Sequence, residues 1–191
     1  MRLGDARPVI VGVPHPNFEL HTLDQGVLGW TTWNARAVVV AGTHRCANPA
    51  ASGCSGSTGV CTAQSAPYRE SDMAHTEVSL FHAAHEALLA EEPALVVLSL
   101  HGMSGSGVSL SNGTTGNVIA TDLLSRAAQA LAEALPGENI TACNAGAGVP
   151  QDQRLCGTTN TQGRLVNGAT APCTQSSAQS SGRFLHLEQS M

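Results

Sequence analysis

VIVGVPHPNFELHT, residues 9–22, opens on five residues that are all valine, isoleucine or glycine and then breaks into Pro14, His15 and Pro16. A short, continuous β-branched run without polar alternation is the pattern of a strand covered on both faces. Three further runs repeat it, Ala37 to Ala41, Leu95 to Leu100 and Phe184 to Leu187, with Ile140 to Cys143 a weaker fifth. Helical spacing lies between them. Ser71 or Asp72 can cap a helix reaching about Glu91, with Pro93 just beyond; residues 117–135 give a second, stopped by Pro136-Gly137; and 22–35 a third. Strands alternating with helices predict one α/β domain over residues 1–191, a sandwich with a mainly parallel central sheet. In such sheets, sites gather at the carboxyl ends of the strands. Regions 42–70 and 144–182 show no periodicity and are too long for plain connections, so they are predicted to cover the site.

Composition narrows the function. The 191 residues are 42% hydrophobic and 12% charged, which suits a single domain with a real core. Nine basic against fourteen acidic residues give a net charge of -5, with no basic cluster or aromatic platform to follow a phosphate backbone, which argues against nucleic acid. No apolar run approaches the roughly 20 residues of a membrane span, and the first residues lack the apolar core of a secretory leader. Six cysteines, three in the loop 46–61 and three at Cys143, Cys156 and Cys173, form no CxxC pair. An even count in loops favours disulfides and a secreted or periplasmic location, the leader lying outside this chain, over free thiols in the cytoplasm. Fifteen pairings are open.

Three strand ends carry chemistry. The first runs into PHPNFE, with His15 and Glu19; the third, ALVVLSLHG, reaches His101-Gly102; the last, RFLHLEQS, carries Glu188. Two imidazoles and a carboxylate make a three-ligand zinc site with one position open, the catalytic pattern rather than the structural one. A further carboxylate, Glu188, would take a proton from the attacking water and hand it to the leaving nitrogen. Pro14 and Pro16 restrict the backbone on either side of His15, which holds a ligand in place at little further entropic cost.

At these residues the chain resembles the zinc-dependent amidohydrolases of the poly-γ-glutamate hydrolase type, related to the N-formylglutamate amidohydrolases and the N-acetylmuramoyl-L-alanine amidases. His15, Glu19, Thr22 and Asp24 are similar to that family's histidine, glutamate, threonine and acidic series, with the first gap one residue shorter. LSLHG resembles its strand ending in His-Gly, FLHLEQS its final strand with the catalytic glutamate, and LCGTTNTQGRLVNG its segment with two spaced asparagines, here Asn160 and Asn167. The resemblance implies a carboxypeptidase- or amidohydrolase-like three-layer sandwich and one Zn2+ per chain on His15, Glu19 and His101. It also implies Glu188 as catalytic base and the asparagines at the substrate. The cysteine-rich loop 46–61 departs from that family.

The second strand delivers THRCAN, so His44 and Arg45 reach the same edge of the sheet. Arginine's planar fork suits a substrate carboxylate, and the N-formylglutamate amidohydrolases carry a similar arginine segment. Arg45 is therefore the first expectation for an acidic-substrate anchor, ahead of Arg183 and Arg69. HAAHE in residues 82–86 is neither HExxH nor HxxEH, which excludes those zinc-protease helices. His75 and Glu77 remain within reach of the site, Glu77 as the lesser alternative to Glu19. No GxSxG elbow accompanies Ser104 or Ser106. The expectation is a zinc amidohydrolase acting on an amide or γ-glutamyl bond of a peptide-like, acidic substrate. The competing class is a non-catalytic, disulfide-braced extracellular binding domain on the same fold.

Overall fold

Val11 and Val13 of the opening run bury into one face of a sheet while Ile10 buries into the other, as the two-residue period of a strand requires. The computed structural model describes residues 1–2 and 4–191. In chain order the elements are β1 (Arg7–Val13), α1 (Thr22–Thr32), β2 (Ala35–Val40), β3 (Ser57–Thr58), β4 (Ala66–Pro67), α2 (Leu80–Glu91), β5 (Val96–Met103), β6 (Val108–Ser111), α3 (Leu123–Ala134), β7 (Ile140–Ala142), α4 (Thr161–Val166) and β8 (Phe184–Ser190). Six strands form one sheet in the order β2-β1-β5-β8-β6-β7, and β3 and β4 pair as a small antiparallel hairpin. β2, β1, β5 and β8 run parallel; β6 and β7 are parallel to each other but oppose β8. The mainly parallel α/β sheet is thus present, with one antiparallel junction.

Two cores sandwich the sheet. On one face Val11, Val13, Leu98, Leu100 and Leu110 pack with Trp30 of α1 and Leu124 and Ala128 of α3; on the other Ile10, Val97 and Phe184 pack with Leu88 of α2 and Val166 of α4. Each fully buried side chain of this size contributes roughly 1.5–3 kcal/mol. Helix α1 lies close against β1, since a Cβ on Gly26 would stand 2.5 Å from Val13 Cγ2.

The second face turns polar toward one end. β5 and β8 pair in register, Val97 opposite Phe184, Ser99 opposite His186 and His101 opposite Glu188. β6 continues the row with Ser109 opposite Glu188 and Ser111 opposite His186. Alternation puts all six polar side chains on one face, just beyond the apolar pair.

Four boundaries differ from the sequence reading. The run 108–111, assigned to no element from the sequence, is β6; its VSLS alternation is too short and polar to announce a strand without the neighbours that pair it. The helix expected from Asp72 begins at Leu80, capped by Ser79, whose hydroxyl accepts from the His82 N–H at 3.1 Å. Residues 72–79 stay irregular because Asp72 and His75 bond elsewhere, as described below. The helix expected over 117–135 is α3, starting at Leu123 behind Asp122, and the 22–35 segment is helical to Thr32. The long regions 42–70 and 144–182 hold only the hairpin and the short α4.

All six cysteines pair: Cys46–Cys61, Cys54–Cys173 and Cys143–Cys156. Three disulfides are consistent with an extracellular or otherwise oxidising location. Among the described residues no helix is long and apolar enough to cross a membrane.

Candidate metal centre

After β1 the chain makes one tight turn. The N–H groups of Phe18 and Glu19 both donate to the His15 carbonyl, at 3.0 and 2.9 Å, which brings Glu19 back beside His15. His15 Nδ1 lies 2.7 Å from Glu19 Oε1. His101 arrives from β5, its Nδ1 3.4 Å from Glu19 Oε2, and the Gly102 N–H donates to that same oxygen at 3.1 Å. His15, Glu19 and His101 are all buried, and one donor atom from each lies within 4.8 Å of the others. The cluster can hold a metal ion.

The donor set fits that use. Bonds of about 2.0–2.1 Å in a tetrahedral shell set neighbouring ligands roughly 3.3 Å apart, and the His101–Glu19 separation already matches. The other nitrogen of His15 faces Asp72 Oδ1 at 2.8 Å. A carboxylate on the far nitrogen is the usual support for a metal-binding imidazole, because it fixes the tautomer and ring plane. Both His15 nitrogens face carboxylates, Nδ1 towards Glu19 and Nε2 towards Asp72. Burial alone would lower the ring's pKa, but Asp72 and Glu19 outweigh that and raise it.

Asp72 is the hub of the surrounding network. It also accepts from His75 Nδ1 at 2.9 Å and, through Oδ2, from the Arg45 guanidinium at 2.6 Å. Burial pushes both Asp72 and Glu19 upward; His75 and His15 around the first, His101 and His15 around the second, more than reverse this, so both carboxyls sit far below their ordinary range. His75 is lowered as well, by burial despite Asp72, and stacks on Tyr68 with ring centroids 3.7 Å apart.

Glu188 stands opposite His101 across the β5–β8 pair and lines the same cleft. Burial raises its carboxyl above the ordinary value, partly offset by His101 and reinforced by Glu19. His186, two residues earlier on the same face, has Nε2 3.5 Å from Glu188 Oε1 and its ring 4.6 Å from that of His101. Burial and His101 hold His186 well below its usual pKa. His101, His186 and Glu188 form a second group within ligand reach of one another. Behind His101, the Ser99 hydroxyl lies 3.0 Å from Nε2, and Asn160 Nδ2 donates to that hydroxyl at 3.4 Å.

The remaining sequence candidates divide. Arg45 lines the cleft, but its two terminal nitrogens are engaged by Glu19 and Asp72, at 3.2 and 2.6 Å. Its charge holds Glu19 and Asp72 rather than facing outward. His44 is exposed, packed edge-on against Phe18 and accepting from the Cys46 N–H. Asn160 caps α4 through the Gly163 N–H. Asn167 ends α4, donating to the Asn112 carbonyl and accepting from Ser181, so it braces loops and does not line the cleft. Arg183 precedes β8 at the opposite end of the sheet, where it donates to the Pro93 and Val166 carbonyls, so a substrate role for it is corrected. Glu77 accepts from the Cys173 N–H and stands outside both donor groups.

Asp72 and His186 went unassigned in the sequence. An aspartate before an amphipathic run reads as an ordinary helix cap, which hid Asp72. His186 was legible: strand alternation from Glu188 puts it on the same face. Comparison with protein-family models, curated proteins and solved structures yields no match, so geometry carries the functional reading.

Proposed function

We propose that this chain is a zinc-dependent hydrolase of an amide bond in a peptide-like substrate, acting in an oxidising compartment. The observation that carries the reading is the convergence of the His15–Glu19–His101 donor group with the partly buried carboxyl of Glu188, on one cleft and in one strand register. His15, Glu19 and His101 would hold the ion, and Asp72 would orient His15. The resemblance to the poly-γ-glutamate hydrolase type and its carboxypeptidase-like sandwich agrees with this arrangement.

When bound, zinc supplies a Lewis acid and lowers the pKa of water toward about 7. Glu188 Oε1 then accepts a proton as the water oxygen bonds to the amide carbon. The same oxygen returns that proton to the nitrogen as the C–N bond breaks, giving a carboxylic acid and an amine. A carboxyl raised by burial suits this double duty, since its two protonation states lie closer in energy near neutral pH than those of an exposed glutamate. Gly157 keeps the cleft wall tight here: its φ is +61°, and a Cβ would stand 2.8 Å from the His186 ring.

Elemental mass spectrometry on untagged protein purified without chelator tests the reading. The expectation is about one zinc per chain, lost in His101→Ala and kept in Glu188→Gln. In Glu188→Gln, hydrolysis of γ-glutamyl, N-acyl amino acid or muramoyl-peptide amides should fall by about 10²–10⁴-fold. A chain that neither carries nor takes up zinc, or a Glu188→Gln variant at the wild-type rate, would overturn it.

A further inference from the structure

The cleft over the candidate metal centre has two lobes, one of mixed lining and one mainly apolar. The more polar lobe, about 520 Å³, contains His15 and His101 and is lined by the hydroxyl-bearing residues Ser57, Thr58, Tyr68, Thr115, Thr158 and Thr159. The apolar lobe, about 730 Å³, opens onto Glu19 and is walled by Phe18, Met103 and the Gly102 backbone. Four residues line both: Val60, Arg154, Leu155 and Glu188. The candidate base therefore stands where the lobes join.

Val60 and Leu155 come from different loops, and each directly precedes a bridged cysteine, Cys61 and Cys156. Arg69 adds a clamp on the first loop, donating to the carbonyls of both Cys46 and Cys61. The junction is thus fixed by covalent bonds on two sides, which lowers the ordering cost of seating a substrate across it.

Charge decides what the polar lobe accepts. The chain contains no lysine. The only arginines lining either lobe are Arg45 and Arg154. Arg45 is occupied by Glu19 and Asp72; Arg154 is 81% exposed at the rim and paired with Asp152 at 2.6 Å. A run of substrate carboxylates would meet Glu19 and Glu188, and both lining arginines already hold a carboxylate partner. Hydroxyls satisfy neutral groups equally well as donors or acceptors.

We infer that the preferred substrate is an amide joining a neutral, hydrogen-bonding residue to an apolar one, the first in the hydroxyl-lined lobe and the second against Phe18 and Met103, rather than an acidic polymer. This rests on the hydrolase reading for the position of the scissile bond, but the lobes can be tested by binding alone. Zinc-loaded Glu188→Gln protein would be titrated calorimetrically with N-acetylated, C-amidated Ser-Leu, Leu-Ser, Ser-Ser and γ-linked Glu-Glu. Loss of the Glu188 charge favours the acidic peptide, so the comparison is weighted against the inference.

One of the mixed peptides should bind at least about tenfold more tightly than both Ser-Ser and Glu-Glu, the value of burying one leucine side chain. Met103→Glu should remove most of that advantage and leave Ser-Ser unchanged. Equal affinities, no measurable binding of any peptide, a preference for Glu-Glu, or insensitivity to Met103→Glu would overturn the inference. Cleavage of the same peptides by wild-type protein judges the hydrolase reading separately. Selective binding without cleavage would sink the chemistry and keep the lobes.

Discussion

Asp72 shows how much one side chain can organise without touching a substrate. It accepts from His15, His75 and Arg45 while only 2% exposed. Hydrogen bonds to charged groups are worth roughly 1.5–3 kcal/mol each, but the more specific consequence falls on the proposed metal site. Asp72→Asn keeps an acceptor for His15 and removes the charge that makes the ring a stronger ligand and frames its orientation. Zinc affinity, measured by competition with a chromophoric chelator, should fall about 10–100-fold. His75→Gln, which leaves the His15–Asp72 pair intact, should change it far less. Equal zinc affinity in Asp72→Asn and wild type would remove Asp72 from the site. The sequence showed His15, Glu19, His101 and Glu188 because each ends or follows an apolar run. It hid Asp72 because that residue reaches His15 across 57 positions of sequence.

Helix α2 places a second kind of histidine in the fold. His85 is 1% exposed, its Nδ1–H donates to the Phe81 carbonyl at 2.8 Å, and its Nε2 has no partner where it meets Gly12 of β1. Burial, against the Phe81 bond, pulls its pKa from an ordinary 6.5 down to about 4. The folded state therefore refuses a proton that the unfolded chain accepts. The resulting stability is fully present above pH 6.5 and is lost as pH falls toward 4. His85→Leu should remove this part of the acid sensitivity. Urea unfolding at pH 7 and pH 4.5 should show a stability loss about 2 kcal/mol smaller in the variant than in wild type. An identical loss in both would mean that His85 does not set the slope. The elements themselves were legible where burial on both faces made the runs continuous, as in β1, β2, β5 and β8. β6 was not, since two of its four residues are serines whose side chains continue the polar row. The first turns expected of α2 were lost to Asp72 and His75, where bonds to the site outcompete helix propensity.

Across the whole molecule the disulfides do what the scarce aromatic core cannot. Cys54–Cys173 joins positions 119 apart and ties the loop carrying Ser57, Thr58 and Val60 to the segment after α4. Arg164, buried in α4, reinforces that seam: its guanidinium donates to Ser55 Oγ and to the Pro172 and Cys173 carbonyls at 3.0–3.2 Å. Closing a loop of this length removes unfolded-state entropy worth about 4–5 kcal/mol, against about 3 kcal/mol for the 15-residue Cys46–Cys61 loop. Cys54→Ser with Cys173→Ser should therefore destabilise the protein more than Cys46→Ser with Cys61→Ser, by about 1–2 kcal/mol in denaturant unfolding. Function should rank the other way. Cys61 directly follows Val60 at the junction of the lobes, so losing the shorter bridge should raise KM while most of the stability remains. If instead both variants lose stability and KM in the same proportion, the bridges act only as general staples, and the division of labour between frame and cleft is wrong.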